Sequence, residues 1–354
     1  MTAGVAPDAA PQRVLFVTGT LAEPSLRRTL AGMAPAFAYD VAVLKITVAA
    51  LMTTPWIARF LEVPAGTDLV LIPGLCEGDP TVISERVGVR VAKGPKDLRE
   101  IPQHFGHAAA MRDYGAWTIE IVAEINNVPR LARDAVRREA EHYRASGADV
   151  IDVGCTPGRE FPELAEVVGE LVGAGMRVSV DSFDPGEIRT AVAAGAELVL
   201  SVNGSNLEVA RELTGSKTRV VVIPDFGAGL ETLEPSLAAL ERWGVSYFID
   251  PILEPIGFGL MASLERFAQV HRRYPEAPLF MGIGNVTELT AADSTGVNAI
   301  LIAICEELGV RAVLTTEVIP WARGAVREVD VARRLMHHAV RQRTLPKGVD
   351  DRLL

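Results

Sequence analysis

A chain of 354 residues that is 49% hydrophobic can bury a large core and leaves room for more than one domain. Its net charge of −10, with no basic stripe to offset it, excludes a nucleic-acid or anionic-membrane surface. The three cysteines (Cys76, Cys155, Cys305) are few, odd in number and widely spaced, which fits a reducing cytoplasm rather than a disulfide framework, and no apolar run approaches the ~18 residues of a membrane span.

Residues 1–12 are Ala/Pro-rich and lack the charged and apolar regions of a signal peptide, so they read as a flexible tail. Residues 13–113 then read as a small three-layer, Rossmann-like α/β domain. Its strands are RVLFVTG (13–19), DVAVLKI (40–46), TDLVLIP (67–73) and GVRVAKG (88–94), with helical stretches 25–33 and 48–61 between them. The turn Thr18-Gly19-Thr20-Leu21 lacks G-x-G-x-x-G and the P-loop lysine, so a structural or covering role is favoured over nucleotide binding. GHAAAMRDYGAW (106–117) reads as the join to the next domain.

From residue 114 to 342 the pattern changes to eight short strand-like runs separated mostly by amphipathic helices. The runs are 118–125, 149–154, 176–181, 196–202, 219–224, 245–250, 278–283 and 311–316. Alternation of this kind implies parallel strands with crossover helices, closed into a (β/α)8 TIM barrel. Each run ends near a polar residue: Asn127, Asp152, Asp181, Asn203, Asp225, Asp250, Asn285 or Glu317. In a barrel the C-terminal strand ends share one mouth, so these side chains are expected to converge there. Asp152, inside its strand, is expected to stand behind the ligand contacts. The loops 73–79 and 92–102, with Lys93 and Lys96, are rich in Gly, Pro and charge and read as candidates to reach over that mouth. Residues 343–354 read as a C-terminal tail.

Several barrel motifs carry a family resemblance. Asn126-Asn127-Val128-Pro129 resembles the opening motif of dihydropteroate synthases, and GADVIDVG (147–154), VSVDSF (178–183) and AAGAELVLSVNG (193–204) resemble the next three. IDPILEPIGFG (249–259) is similar to an expanded sixth-strand motif of that family. Two departures stand out. Where the family carries a lysine after strand seven and Arg-x-His on strand eight, this chain has Gly282-Ile283-Gly284-Asn285-Val286-Thr287 and Thr315-Thr316-Glu317. The former stretch, followed by Asn298, looks more like pterin-binding methyltransferases that serve a corrinoid protein. The whole arrangement resembles the dihydropteroate synthase-like group associated with tetrahydromethanopterin biosynthesis, a branch of one-carbon metabolism, whose front domain has no characterised role.

A pterin presents adjacent ring and amine donors beside acceptor atoms, and a carboxylate accepts from both donors at once. Asp250 is the candidate for that contact, with Asn203, Asp181 and Asn285 expected to meet the remaining ring atoms. The resemblance implies substitution at the methylene carbon of 6-hydroxymethyl-7,8-dihydropterin diphosphate by an arylamine, ribofuranosylaminobenzene phosphate being favoured over p-aminobenzoate. Asn127 and Arg159 are the expected catalytic residues, Asn127 also touching a Mg²⁺ that bridges the diphosphate. Partners are then small-molecule substrates, without nucleic acid or membrane, in a cytoplasmic protein that pairs as a homodimer. The alternatives are methyl transfer to a corrinoid protein and non-catalytic pterin binding. The six histidines lie away from the strand ends; His104-x-x-His107 lacks the Glu of a zinc protease, and Cys155 has no histidine placed to activate it.

Overall fold

The computed structural model describes residues 13–106 and 114–354. The expected N-terminal tail, His107 and most of the expected join therefore lie outside the described residues. The chain divides into two compact units with the boundary between residues 112 and 113.

The front unit is a four-stranded parallel sheet: β1 (Arg13–Gly19), β2 (Ala38–Leu44), β3 (Leu69–Ile72) and β4 (Arg90–Lys93), in the order β2-β1-β3-β4. Alternation along β1 builds its two faces. Val14 and Phe16 pack against Leu26 and Leu30 of the helix Glu23–Met33. Leu15 and Val17 pack with Ile57 and Ala58 of the helix Thr54–Phe60 and with Ile83 of the helix Thr81–Val87. Helices on both faces of a parallel sheet make three layers, as the sequence implies.

The second unit is a closed barrel of eight parallel strands: β5 (Glu120–Ile125), β6 (Val150–Gly154), β7 (Val178–Asp181), β8 (Leu198–Val202), β9 (Arg219–Val222), β10 (Tyr247–Ile249), β11 (Leu279–Gly282) and β12 (Val310–Thr315). β12 pairs with β5 to complete the ring. Strand parity again separates two cores. Outward residues such as Ile121, Ile151, Val180 and Ile249 pack under the surrounding helices. Inward residues Val122, Val150, Leu198, Leu200, Val221, Phe248, Phe280 and Ala312 fill the barrel itself, so it is plugged and not a pore.

The C-terminal tail, residues 343–354, lies against the barrel. Val349 and Leu353 pack against the outer barrel core, and Tyr114 donates a hydrogen bond to Asp350. Two apolar side chains in a short segment suffice to return it to the barrel. Among the described residues no helix is long and apolar enough to cross a membrane.

Candidate functional site

Inward parity decides which strand-end side chains enter the barrel. On β7, Val180 faces the helices while Ser179 donates to Asp152 on the inside, so Asp181 also falls inward. On β10, Phe248 belongs to the inner core, and Asp250, two residues on, follows it. On β8 plain alternation would fail. Leu200 faces in and Val202 faces out, but the register with β9 shifts between them. That bulge puts Asn203 on the inward parity, the kind of re-aiming that bulges commonly perform beside functional sites.

These buried polar groups are incompletely satisfied. Asn203 is 1% exposed, and its Oδ1 accepts from the Ser205 backbone N–H at 2.9 Å and from the Ser205 hydroxyl at 2.6 Å. The backbone donor fixes which amide atom is the oxygen. Its Nδ2, a strong donor, is buried without a partner. Asp250 accepts at Oδ1 from the Ile252 N–H at 2.8 Å. Burial pushes its carboxyl from the ordinary range up to about 7, against the lowering effect of that N–H and of Arg266.

Two further carboxyls join Asp181. Glu124 is the direct cross-strand partner of Asp152, and Asp181 pairs in register with Gly154, two residues beyond Asp152. One oxygen from each of Glu124, Asp152 and Asp181 lies within 4.8 Å of the others. Burial raises Asp181 to about 6; burial and then the charges of Asp181 and Glu288 raise Glu124 to about 8. Asp152, 0% exposed, is raised well above its usual range by burial, then by Asp181 and Glu124. Without a cation, burial and mutual repulsion therefore favour the protonated forms of these carboxyls. A Cβ added at Gly154 would stand 2.8 Å from Glu124 Oε1, so the glycine makes room for the cluster.

Other expected residues stand differently. Asn127 is exposed at a left-handed φ of 53°, and its Oδ1 accepts from the Thr156 hydroxyl at 3.1 Å. Its neighbour Asn126 has the inward parity and accepts from the Thr316 hydroxyl at 2.8 Å. Asn285 is exposed, and its amide donates to the Leu253 carbonyl at 2.9 Å, holding the loop that follows β10. Arg159 is exposed on the loop after β6 and lines a cavity of about 880 Å³ with Thr156, Phe161, Asp181, Phe183 and Glu187. Glu317 does not join the mouth constellation, because it accepts from the Val326 N–H that begins a helix and meets His142. Asn298 is buried between Thr287 and Glu328 and acts inside the helical layer. Asp225 accepts from the Gly204 N–H at 2.7 Å and ties two loops together. The Cys155 thiol is pushed up by burial, which makes it a poor nucleophile.

Comparison with known proteins agrees with this geometry. Residues 12–96 match the family of unknown function DUF6513, and residues 128–226 match the pterin binding enzyme family. A protein of Methanocaldococcus jannaschii described as uncharacterized protein MJ0107 is 27% identical, covering 97% of this chain and 77% of that one. Among solved structures, a Xanthomonas albilineans dihydropteroate synthase in complex with indole-2-carboxylic acid and 6-chloroguanine is similar with a TM-score of 0.50 and 20% identity, over 63% of this chain and 92% of the other. A Yersinia pestis dihydropteroate synthase with a pterine-sulfa conjugate gives a TM-score of 0.49 at 18% identity, over 64% and 94%. The chain thus joins a front segment that matches DUF6513 to a barrel that matches the pterin binding enzyme family over residues 128–226.

Proposed function

We propose that the protein is a transferase that binds a 6-hydroxymethyl-7,8-dihydropterin diphosphate and joins its methylene carbon to an arylamine, with release of diphosphate. The observation that carries this reading is the buried, unpaired Nδ2 of Asn203 at a strand end. A buried donor of this kind costs about 1–3 kcal/mol unless a ligand acceptor meets it. Asp250 supplies the complementary acceptor for the ring and amine donors of a pterin, and Asp181 a second one. The electron-rich ring supports positive character at the reacting carbon as diphosphate leaves, so this chain's residues need mainly to orient the partners and meet the departing charge.

The 880 Å³ cavity beside Asp181 has the size for a second substrate, and Arg159 offers it a positive charge. An arylamine carrying a phosphorylated sugar, as in tetrahydromethanopterin biosynthesis, suits that charge. A Mg²⁺ bridging the diphosphate would draw on Asn127, yet its amide oxygen is a single neutral ligand atom that already accepts a hydrogen bond from the Thr156 hydroxyl. Alone, Asn127 is a weak cation holder.

Incubation with the dihydropterin diphosphate and each arylamine in turn, following diphosphate release, tests the reading. Release that depends on the amine supports it. A second reading, methyl transfer to a corrinoid protein, is favoured by the exposed Asn285 of the Gly282–Thr287 stretch. Corrinoid methylation without diphosphate release would select it.

A further inference from the structure

We infer that Glu124, Asp152 and Asp181 form a binding site for a hard divalent cation, Mg²⁺ or Mn²⁺, inside the barrel. The site is built by the sheet. Glu124 and Asp152 face each other across β5 and β6, and Asp181 comes from the next strand, β7. One oxygen of each lies within 4.8 Å of the other two, so a small inward adjustment of side chains places all three around one ion.

The second observation is on Asp152 itself. It is 0% exposed, its Oδ1 accepts from the Ser179 hydroxyl at 2.6 Å, and its Oδ2 is buried with no partner. A hydroxyl thus orients the carboxylate while its other oxygen remains unmet, as in a metal ligand held by an outer hydrogen bond. Among the described residues, no Lys or Arg is ion-paired with any of the three groups. A divalent cation would supply the positive partner that the three carboxyls lack.

The donor set selects the ion. Three carboxylate oxygens, with no thiolate or imidazole, suit Mg²⁺ or Mn²⁺ over Zn²⁺. Three protein ligands leave about half of an octahedral shell for water or ligand oxygens. Access exists, because Glu124 and Asp181 are only partly buried and Asp181 lines the adjoining cavity. The glycine at position 154 keeps the Glu124 carboxylate clear, since a side chain there would meet its Oε1. The site stands independently of the pterin reading, since it concerns the protein and a cation alone.

Titration of the chelator-treated full chain with Mn²⁺, read by the loss of free-ion electron paramagnetic resonance signal and by calorimetry, tests the site. One saturable Mn²⁺ per chain, displaced by Mg²⁺, is expected. Glu124→Gln keeps the shape and removes one charge, and is expected to weaken binding at least about tenfold. Glu234→Gln, on an exposed outer helix, is expected to leave it unchanged. Thermal melting gives a second readout: Mn²⁺ raises the midpoint of the native chain and not that of Asp152→Asn. Absence of saturable binding in the native chain would overturn the site and leave a proton-sharing cluster. Binding unchanged by both Glu124→Gln and Asp181→Asn would overturn it equally.

Discussion

Arg266 Nη2 donates to the Ile252 carbonyl at 2.8 Å, and Ile252 adopts a φ of 67°. A β-branched residue in the left-handed region is costly, on the order of 1–3 kcal/mol, and persists only where its surroundings over-determine it. Here four contacts do so. Arg266 also donates to the Pro251 carbonyl, Asn285 donates to that of Leu253, and the Ile252 N–H donates to Asp250. The strained loop is thus what aims Asp250.

Arg266→Gln is expected to relax this loop, raise the Asp250 carboxyl further by removing a nearby positive charge, and lower pterin affinity by about tenfold. Far-UV circular dichroism is expected to stay native, since the helix Leu260–Arg273 keeps its buried Phe267 and Val270. A pH titration of binding shifted upward in this variant separates the aiming role from a merely structural one.

The same carboxyl gives a pH dependence of known sign. The folded value of Asp250, about 7, lies above the unfolded value near 3.8. Its stability contribution is therefore fully present at low pH and declines as pH rises through 4 to 7, by an amount on the order of a few kcal/mol. Neighbouring carboxyls shift the same way, so the readout is the difference between the native chain and Asp250→Asn: denaturant melts of that variant should show a shallower decline. Pterin affinity runs oppositely, strengthening up to about pH 7 as the carboxylate ionises.

Asn203→Asp keeps the oxygen that accepts from Ser205 and replaces the unpaired donor with a second acceptor. Pterin affinity should fall by about 10- to 100-fold, corresponding to one buried donor lost to the ligand. Calorimetry on the folded variant checks this; unchanged affinity would remove Asn203 from the site.

Gly154→Ala places a Cβ 2.8 Å from Glu124 Oε1 and 2.9 Å from the Ile125 carbonyl. One contact is with backbone, which cannot swing aside. A loss of about 1–3 kcal/mol in chemical denaturation is expected.

Much of this was legible in the sequence because apolar β-rich runs and helical stretches alternate so regularly. The strand runs were located, though several strands are shorter; β10 covers only Tyr247–Ile249 of the expected 245–250. Glu124 is masked by the apolar run around it, although a period of two from Val122 through Glu124 to Asn126 carries the signal. The bulge that turns Asn203 inward left no such trace, since it arises from register with β9. Nor could the local sequence reveal that Asn285 serves a loop 32 residues away, or that Glu317 begins a helix and does not join the mouth constellation. Long-range pairing decides those roles.

Under the proposed function, the barrel mouth recognises a reduced pterin through Asp250 and Asn203. Equilibrium binding of 6-hydroxymethyl-7,8-dihydropterin to the full chain, followed by calorimetry, tests it most directly. One saturable site is expected, weakened about 30- to 1000-fold by Asp250→Ala and nearly as much by Asp250→Asn, because two ring donors lose their shared acceptor. Absence of binding by the folded native chain, or equal affinity in both variants, would contradict it.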